Sequence, residues 1–477
     1  MARQTTTLEG AYNSPDGGDE KQEPAWALCV AWSQDPSRLG QALVVSPVRR
    51  TPVAFGREVL DDGTTVSLVA QRPGQNVPVA LFENPYLSRR HIELLADGAG
   101  LRVANVGKRP LFVNGVATTH ELVRPGDTLE IRGLVLFVVV RRALVFRHTP
   151  SLVPSNVPFG ESDLHGVVGE SEAVWLLREH IAFHADRQAH VLVTGESGTG
   201  KELVAQAMHA LSARANRRLV SRNAATLPPG IIDAELFGNA ANYPNGGMPE
   251  RQGLIGEAHE STLFLDEIGE LPLESQAHLL RVLDEGGEYQ RLGEAKKRKA
   301  DLRVVAATNR PISELKHDLV SRLTLRLDVP SLNDRREDIP LLARHLLARI
   351  SARDPKMKAR FGRSPMITCE LVRALVQHNY RTHVRELDSL LWQAMANSRG
   401  DFVELGSAVA SALAPPPSVQ TREVVREVSA EQIRAALARH AGVREKAWRE
   451  LALPSRHALH RLMKKYGIDA DDDGDDT

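Results

Sequence analysis

The chain has 477 residues, with 60 Lys+Arg against 60 Asp+Glu; 42% of residues are hydrophobic and 25% charged. A composition of this kind excludes a wholly disordered, collagenous or disulfide-scaffold chain, and zero formal charge confines any nucleic-acid contact to a local basic patch. At roughly 100–200 residues per domain the length corresponds to about three domains, and two cysteines far apart, Cys29 and Cys369, make neither a metal cluster nor a disulfide framework, as in a reducing cytoplasm.

In chain order, residues 1–25 are polar, carry no apolar core of a signal peptide, and are expected to be a disordered tail. Residues 26–146 are short apolar runs punctuated by Gly, Pro and Asn (ALVVSPV, TVSLVAQ, GLRVANV, LVLFVVV), which predicts an all-β domain of many short strands. Residues 147–164 are rich in Pro and Ser and read as a linker. From 165 to 332, helical runs (EAVWLLREHIAFHA, KELVAQAMHALSARA) alternate with apolar strands (HVLVTG, STLFLDEIG, LRVVAATN), predicting a parallel α/β sheet. Residues 333–410 read as helices only. A second linker spans 411–428, a small helical module 429–468, and an acidic tail 469–477. No run approaches the ~18–20 apolar residues of a membrane span, so the expected location is the cytoplasm, with no membrane partner.

The run Gly195, Glu196, Ser197, Gly198, Thr199, Gly200 and Lys201 lies between a predicted strand and a predicted helix. Glycines there let backbone N–H groups curl round a phosphate, the helix N-terminus adds partial positive charge, and Lys201 supplies a point charge to the β/γ-phosphates. Glu202 stands where the general pattern has a Ser or Thr for Mg²⁺ and is expected among the nucleotide-binding residues. The next apolar strand ends in Asp266, placed to hold Mg²⁺, and Glu267, placed to polarise an attacking water. A third strand ends in Thr308 and Asn309, positioned to sense the γ-phosphate. ATP and Mg²⁺ are therefore the expected cofactors. His180 and His184 sit four apart on one helix with no third ligand beside them, and are expected to be ordinary helix-face histidines.

GESGTGKE, with ELFG, TLFLDEIGELP, AATNR, REDIPLLA and VREL, resembles the AAA+ core of bacterial enhancer-binding proteins, activators of sigma-54 RNA polymerase. The resemblance runs from about 166 to 400. It implies ATP hydrolysis within a homo-oligomeric ring. It carries over Asn223 as the residue that restrains the catalytic Glu, Arg322 as an arginine acting on the neighbouring subunit's nucleotide, and Arg385 as the sensor on the helical lid. Lys316 occupies the place of a second such arginine. The lid turn reads YRTHVREL where the family has WPGNVREL. The family's GAFTGA loop, which touches the sigma factor, is replaced by Asn242–Gly247 (NYPNGG), with Pro244 at the Phe position and Asn245 at the Thr position.

FGRE, NPYLSRRHIEL and FVNG fall in the order and spacing of a forkhead-associated (FHA) domain, a β-sandwich that binds phosphothreonine peptides. The resemblance implies phosphate contacts from Arg57, Ser88 and Arg89 or Arg90, with Asn114 in the remaining loop and His91 as a brace. A sandwich used only for docking is the alternative. Residues 430–468 resemble a Fis-type helix-turn-helix, with Ser455 as helix cap and Arg456, His457, His460, Arg461 and Lys464 toward DNA.

The expected architecture is thus an FHA-like β-sandwich, an α/β P-loop AAA+ domain with helical lid, and an all-α helix-turn-helix. The expected function is an ATP-dependent, DNA-binding transcriptional regulator with phosphothreonine input. Its partners are DNA, a phosphothreonine protein such as a Ser/Thr kinase or its substrate, and sigma-54 polymerase. Two alternatives stand beside it: a regulator whose ATPase is an assembly switch or acts on a target other than sigma-54, and a remodelling ATPase with no DNA role.

Overall fold

The computed structural model describes residues 24–60, 63–147, 157–228, 230–284, 286–414 and 430–440, together with 450, 451, 463, 466 and 468. Residues 24–147 form twelve strands: β1 Ala25–Ser33, β2 Ala42–Val45, β3 Val53–Phe55, β4 Val69–Arg72, β5 Gln75–Pro78, β6 Ile92–Asp97, β7 Gly100–Asn105, β8 Leu111–Val113, β9 Val116–Thr118, β10 His120–Val123, β11 Thr128–Ile131 and β12 Val135–Arg142. They make two antiparallel sheets, ordered β5-β4-β2-β1-β12-β11-β8-β9 and β10-β7-β6-β3. Trp26, Leu28, Val30, Phe55, Ile92, Leu94 and Phe137 fill the space between the sheets.

The next part begins with α1 Glu172–Ala185, followed by β13 Val191–Thr194, α2 Lys201–Ala210, β14 Val220–Asn223, α3 Ile232–Phe237, α4 Gly253–Glu257, β15 Thr262–Asp266 and α5 Leu273–Leu283. A short hairpin of β16 Glu288–Tyr289 and β17 Arg298–Lys299 precedes β18 Arg303–Thr308, α6 His317–Arg322 and β19 Leu325–Asp328. Five of these strands form a parallel sheet, ordered β14-β15-β18-β13-β19. Thr194 pairs with Thr308 and Asn223 with Asp266, so the predicted site residues gather at the strands' C-terminal ends, the edge where ligands enter open α/β sheets. The two edge strands, β14 and β19, escape the sequence reading because their half-exposed residues form no continuous apolar run.

The lid comprises α7 Ile339–Arg353, α8 Pro355–Phe361, α9 Cys369–Gln377, α10 His383–Asn397 and α11 Ser407–Leu413. It packs on the β-sandwich. Strand β1 (AWALCVAWS) is buried on both faces, with Trp26, Leu28 and Val30 in the sandwich. Its opposite face, Ala27, Cys29 and Ala31, shares one apolar core with Leu136 and Val138 of β12 and with Leu341, Leu371, Leu375 and Leu391 of the lid. Small side chains on β1 allow the close approach. Trp32 Nε1 donates to Ile367 O at 2.8 Å, Gln377 Nε2 to Asn114 Oδ1 at 2.8 Å, and Arg373 pairs with Glu130 at 3.2 Å.

At the junction Arg142 is 3% exposed. It donates to Gln71 Oε1 (3.1 Å) and Glu170 O (3.0 Å) and lies 3.5 Å from Glu337 of the segment leading into α7. Within the predicted linker 147–164, the Gly160 carbonyl accepts from Arg344 of α7, and Gly160 N–H donates to Glu170 Oε1 at 2.7 Å. The chain is therefore one compact unit through Leu413 rather than separate sandwich and ATPase modules, and residues 414–477 form a second. In that second unit α12 spans Ala430–Arg439, and Ile433, Ala436 and Met463 make a small core. Among the described residues no helix is long and apolar enough to cross a membrane.

Candidate functional site

The loop between β13 and α2 turns through positive φ at Gly195 (147°), Gly198 (82°) and Gly200 (107°). Lys201, 6% exposed, folds its Nζ onto Gly195 O (2.9 Å) and Glu196 O (3.2 Å), with Glu267 Oε1 at 3.9 Å. Thr199 Oγ1 donates to Glu196 O at 2.9 Å, which stiffens the loop from inside. Glu202 is exposed and accepts from Gln206 of its own helix at 3.2 Å; it turns along α2, in contrast to its expected place among the nucleotide ligands.

Strand β15 delivers Asp266, whose Oδ1 accepts Glu267 N–H at 3.0 Å. Glu267 has φ +51°, a left-handed conformation that costs a non-glycine residue on the order of 1 kcal/mol or more and clusters at functional sites. Its Oε2 accepts the backbone N–H of Asn309 at 3.2 Å, so Asn309 enters through its main chain while its side chain is exposed. Asn223, expected to restrain Glu267, instead points its Nδ2 at Asp266 Oδ2 (3.4 Å), and its Oδ1 caps Ala225 N–H. The strand pairing of Asn223 with Asp266 sets that choice.

Among the described residues no cluster of three His, Cys, Asp or Glu could hold a metal alone. The Asp266 carboxylate, beside the phosphate loop and with lone pairs left after its contacts to Glu267 N–H and Asn223 Nδ2, fits a Mg²⁺ that arrives with nucleotide and keeps waters and phosphate oxygens. His184 is buried against Arg326 O at 3.0 Å and is a core histidine.

The lid reaches this crevice through the turn before α10. Glu386 accepts N–H groups of Arg381 (2.7 Å) and Thr382 (3.0 Å), and its Oε1 lies 2.8 Å from His378 Nε2. Glu386 is thereby committed to the turn, and Arg385 is left to reach Ser197 Oγ of the phosphate loop at 3.4 Å. Val384 N–H donates to Gly198 O at 3.0 Å. Gly198 has to be glycine: a Cβ there would sit 2.2 Å from Thr382 O. Arg322 makes no bond to this crevice; it is 39% exposed at the end of α6 and donates to Asp284 Oδ1 at 2.9 Å.

The segment Asn242–Gly247 is folded back on itself. Asn242 (φ +62°) accepts Gly247 N–H on Oδ1 at 2.8 Å, and its own N–H reaches Met248 O at 2.9 Å. Asn239, 3% exposed, closes the base by donating to Ala240 O (2.9 Å) and Pro249 O (3.0 Å). Tyr243 is 40% exposed, and its ring lies on Gly293 next to the β16–β17 hairpin, where a Cβ would fall 2.4 Å from Cγ. The buried asparagine was legible only as an Asn after ELFG.

In the sandwich, three loops converge. Arg57 N–H donates to Ser88 O (3.1 Å), Glu58 N–H to Arg89 O (3.3 Å), and Ser88 Oγ accepts Lys108 N–H (3.1 Å). His91 is fully buried: Nδ1 accepts Ser88 N–H at 3.1 Å and Nε2 lies 3.3 Å from Arg109 O. Burial holds its pKa below the ordinary histidine value, so it braces the loops as neutral imidazole. Arg57 and Arg89 are exposed, and Arg90 pairs with Glu93 at 3.2 Å. Arg109 lies 4.8 Å over the Tyr86 ring.

Asn114 is not part of this group. It sits at the other end of β8, with φ +51°, and its amide is spent on Asp127, Thr128 and the lid's Gln377. Ser455, Arg456, His457, His460, Arg461 and Lys464 lie outside the described residues.

Comparison with known proteins bears on residues 167–422. Residues 167–333 match the model of the Sigma-54 interaction domain, and 333–422 that of the AAA+ ATPase lid domain. The chain is 35% identical over 353 residues to the transcriptional regulatory protein ZraR of Escherichia coli, covering 72% of this chain and 77% of that protein. It is 36% identical over 391 residues to the formate hydrogenlyase transcriptional activator of Salmonella typhimurium, covering 76% of this chain and about half (55%) of that relative. A crystal structure of NtrX from Brucella abortus in complex with ADP aligns at 30% identity and a TM-score of 0.47, over 63% of this chain and 70% of that one.

Proposed function

The chain belongs to the family of sigma-54-interacting AAA+ transcriptional regulators, and from that premise we propose that it is an ATPase that regulates transcription as a homo-oligomeric ring. The observation that carries the reading is the convergence of Lys201, Asp266, Glu267 and the lid's Arg385 on one crevice at the C-terminal edge of the parallel sheet. In this reading Lys201 leaves the loop carbonyls for the β/γ-phosphates, Arg385 follows them from the lid, and Glu267 orients a water for in-line attack. Asp266 would hold Mg²⁺, which neutralises phosphate charge when bound with nucleotide. Arg322, exposed and held by a surface pair, is available to a neighbouring subunit's site. Input comes from a phosphothreonine protein held by Arg57, Ser88 and Arg89, whose loops lie at the end of β8 away from the lid-docking turn. DNA binding through residues 429–468 completes the regulator: nine Lys/Arg against three Glu over 430–468 make that module locally basic.

A second reading is favoured by the loop Asn242–Gly247. It lacks the Phe and Thr of GAFTGA, and its one large apolar side chain is laid on Gly293. On that observation the ring acts on a target other than sigma-54.

The deciding experiment is transcription by purified sigma-54 polymerase with and without the protein, with ATP turnover measured alongside. Lys201→Ala abolishes nucleotide binding. Glu267→Gln binds ATP but turns over at least ~10²-fold more slowly. ATP turnover without stimulated transcription selects the second reading, and unchanged turnover in Glu267→Gln refutes the assignment of that residue.

A further inference from the structure

The lid turn carries a histidine where the related proteins' motif has asparagine, and nothing above gives it a task. His383 is 0% exposed and adopts φ +46°, a strained conformation for a side chain of its size. Its Nδ1 accepts Leu332 N–H at 3.3 Å. Acceptance at Nδ1 places the ring proton of the neutral imidazole on Nε2. That Nε2 has no aligned hydrogen-bond partner, and it lies 3.1 Å from Glu196 Oε2 in the phosphate loop.

The imidazole is held firmly. Asn333 clamps Tyr380 through Nδ2 to Tyr380 O (2.8 Å) and Tyr380 N–H to Oδ1 (2.9 Å), and Glu386 ties down residues 381 and 382. Glu196, by contrast, is 66% exposed in its side chain and rides on the loop.

We propose that His383 is a positioning residue for nucleotide binding: a small rotation of the exposed Glu196 side chain brings its carboxylate, already 3.1 Å from Nε2, into line to accept Nε2–H, so that lid and phosphate loop move together and ATP affinity, rather than the hydrolytic step, depends on the link. The proposal rests on the nucleotide reading of this crevice and deepens it. Val384 N–H on Gly198 O and Arg385 on Ser197 flank the same joint and fix its direction.

The test uses the full chain, fluorescence titration with a methylanthraniloyl-ATP analogue, and steady-state ATP turnover. Glu196→Ala and His383→Ala each weaken analogue binding and raise KM for ATP about five- to tenfold, the scale of one charge-assisted hydrogen bond discounted for exposure, with kcat within about twofold of the parent. The double variant binds no more weakly than either single variant. His383→Asn, which presents an amide donor, recovers part of the loss. Glu196 is exposed on a loop, so Glu196→Ala reports on the link even where His383→Ala folds poorly. Parent-like binding by Glu196→Ala, or additive losses in the double variant, overturns the proposal alone. A parent chain that fails to bind the analogue overturns the nucleotide reading with it.

Discussion

Removal of the Arg142 guanidinium tests whether the sandwich is a permanent part of the ATPase unit. At 3.5 Å from Glu337, with side chains 2% and 10% exposed, the pair attracts by about 5 kcal/mol at an effective dielectric constant near 20. Desolvation of both charges offsets most of that. Truncating one partner is a different matter. Arg142→Ala leaves Glu337 buried without its countercharge and strips a donor from Gln71 Oε1 and Glu170 O, a loss of about 3–5 kcal/mol. Differential scanning calorimetry of the full chain should show the transition of the 24–413 unit fall by roughly 5 °C or more. Arg142→Met with Glu337→Leu replaces the pair by apolar groups and should recover most of that loss. A shift under about 1 °C in Arg142→Ala, or a double variant as unstable as the two single variants added together, refutes the reasoning and returns the sandwich to a loosely tethered module.

Four further outcomes are expected. Gly198→Ala should drive the phosphate loop off the Thr382 carbonyl, 2.2 Å from the new methyl, and weaken nucleotide binding more than about tenfold in the same fluorescence titration. His184 and His190 are both pushed down to about 4 by burial, His190 further by the Arg303 charge. Their folded values lie below the unfolded one, so the stability they contribute is complete above pH 6.5 and is lost as pH falls toward 4. Melting at pH 5 should therefore lose on the order of 1–2 kcal/mol for each relative to pH 7.5, and a flat profile contradicts the depressed values of these two imidazoles. A phosphothreonine peptide should bind more tightly than its unmodified form, and Arg57→Ala should erase the difference in a calorimetric titration; equal affinity of both peptides favours a docking-only sandwich. In the ADP–aluminium fluoride state the chain should retain no sigma-54 in a pull-down, and capture that vanishes in Tyr243→Ala would restore the contact through that ring.

Local chemistry was legible in the residues themselves. A strand, a glycine turn and a helix bearing Lys201 can be read from spacing, because a phosphate loop is one contiguous segment whose backbone does the work. Asp266 and Glu267 could be read from the end of an apolar run for the same reason. The short apolar runs of residues 26–146, LVLFVVV among them, announced strands, but not that β1 and β12 are covered on both faces, nor by which element. Tertiary packing decided that: the small side chains Ala27, Cys29 and Ala31 admit the lid, so a region that reads as an independent domain shares its core with helices more than 300 residues away. Packing also moved individual side chains away from their expected partners. Asn223 is paired in register with Asp266 and bonds there. Asn114 is consumed by its own turn and by Gln377, and Glu202 lies along its helix. His383 meets Glu196 only because the lid folds over the phosphate loop. Sequence fixes which groups a segment offers, since that depends on the order of residues along one strand, turn or helix. Which of those groups meet depends on contacts between segments far apart in the chain, and the three-dimensional packing alone supplies them.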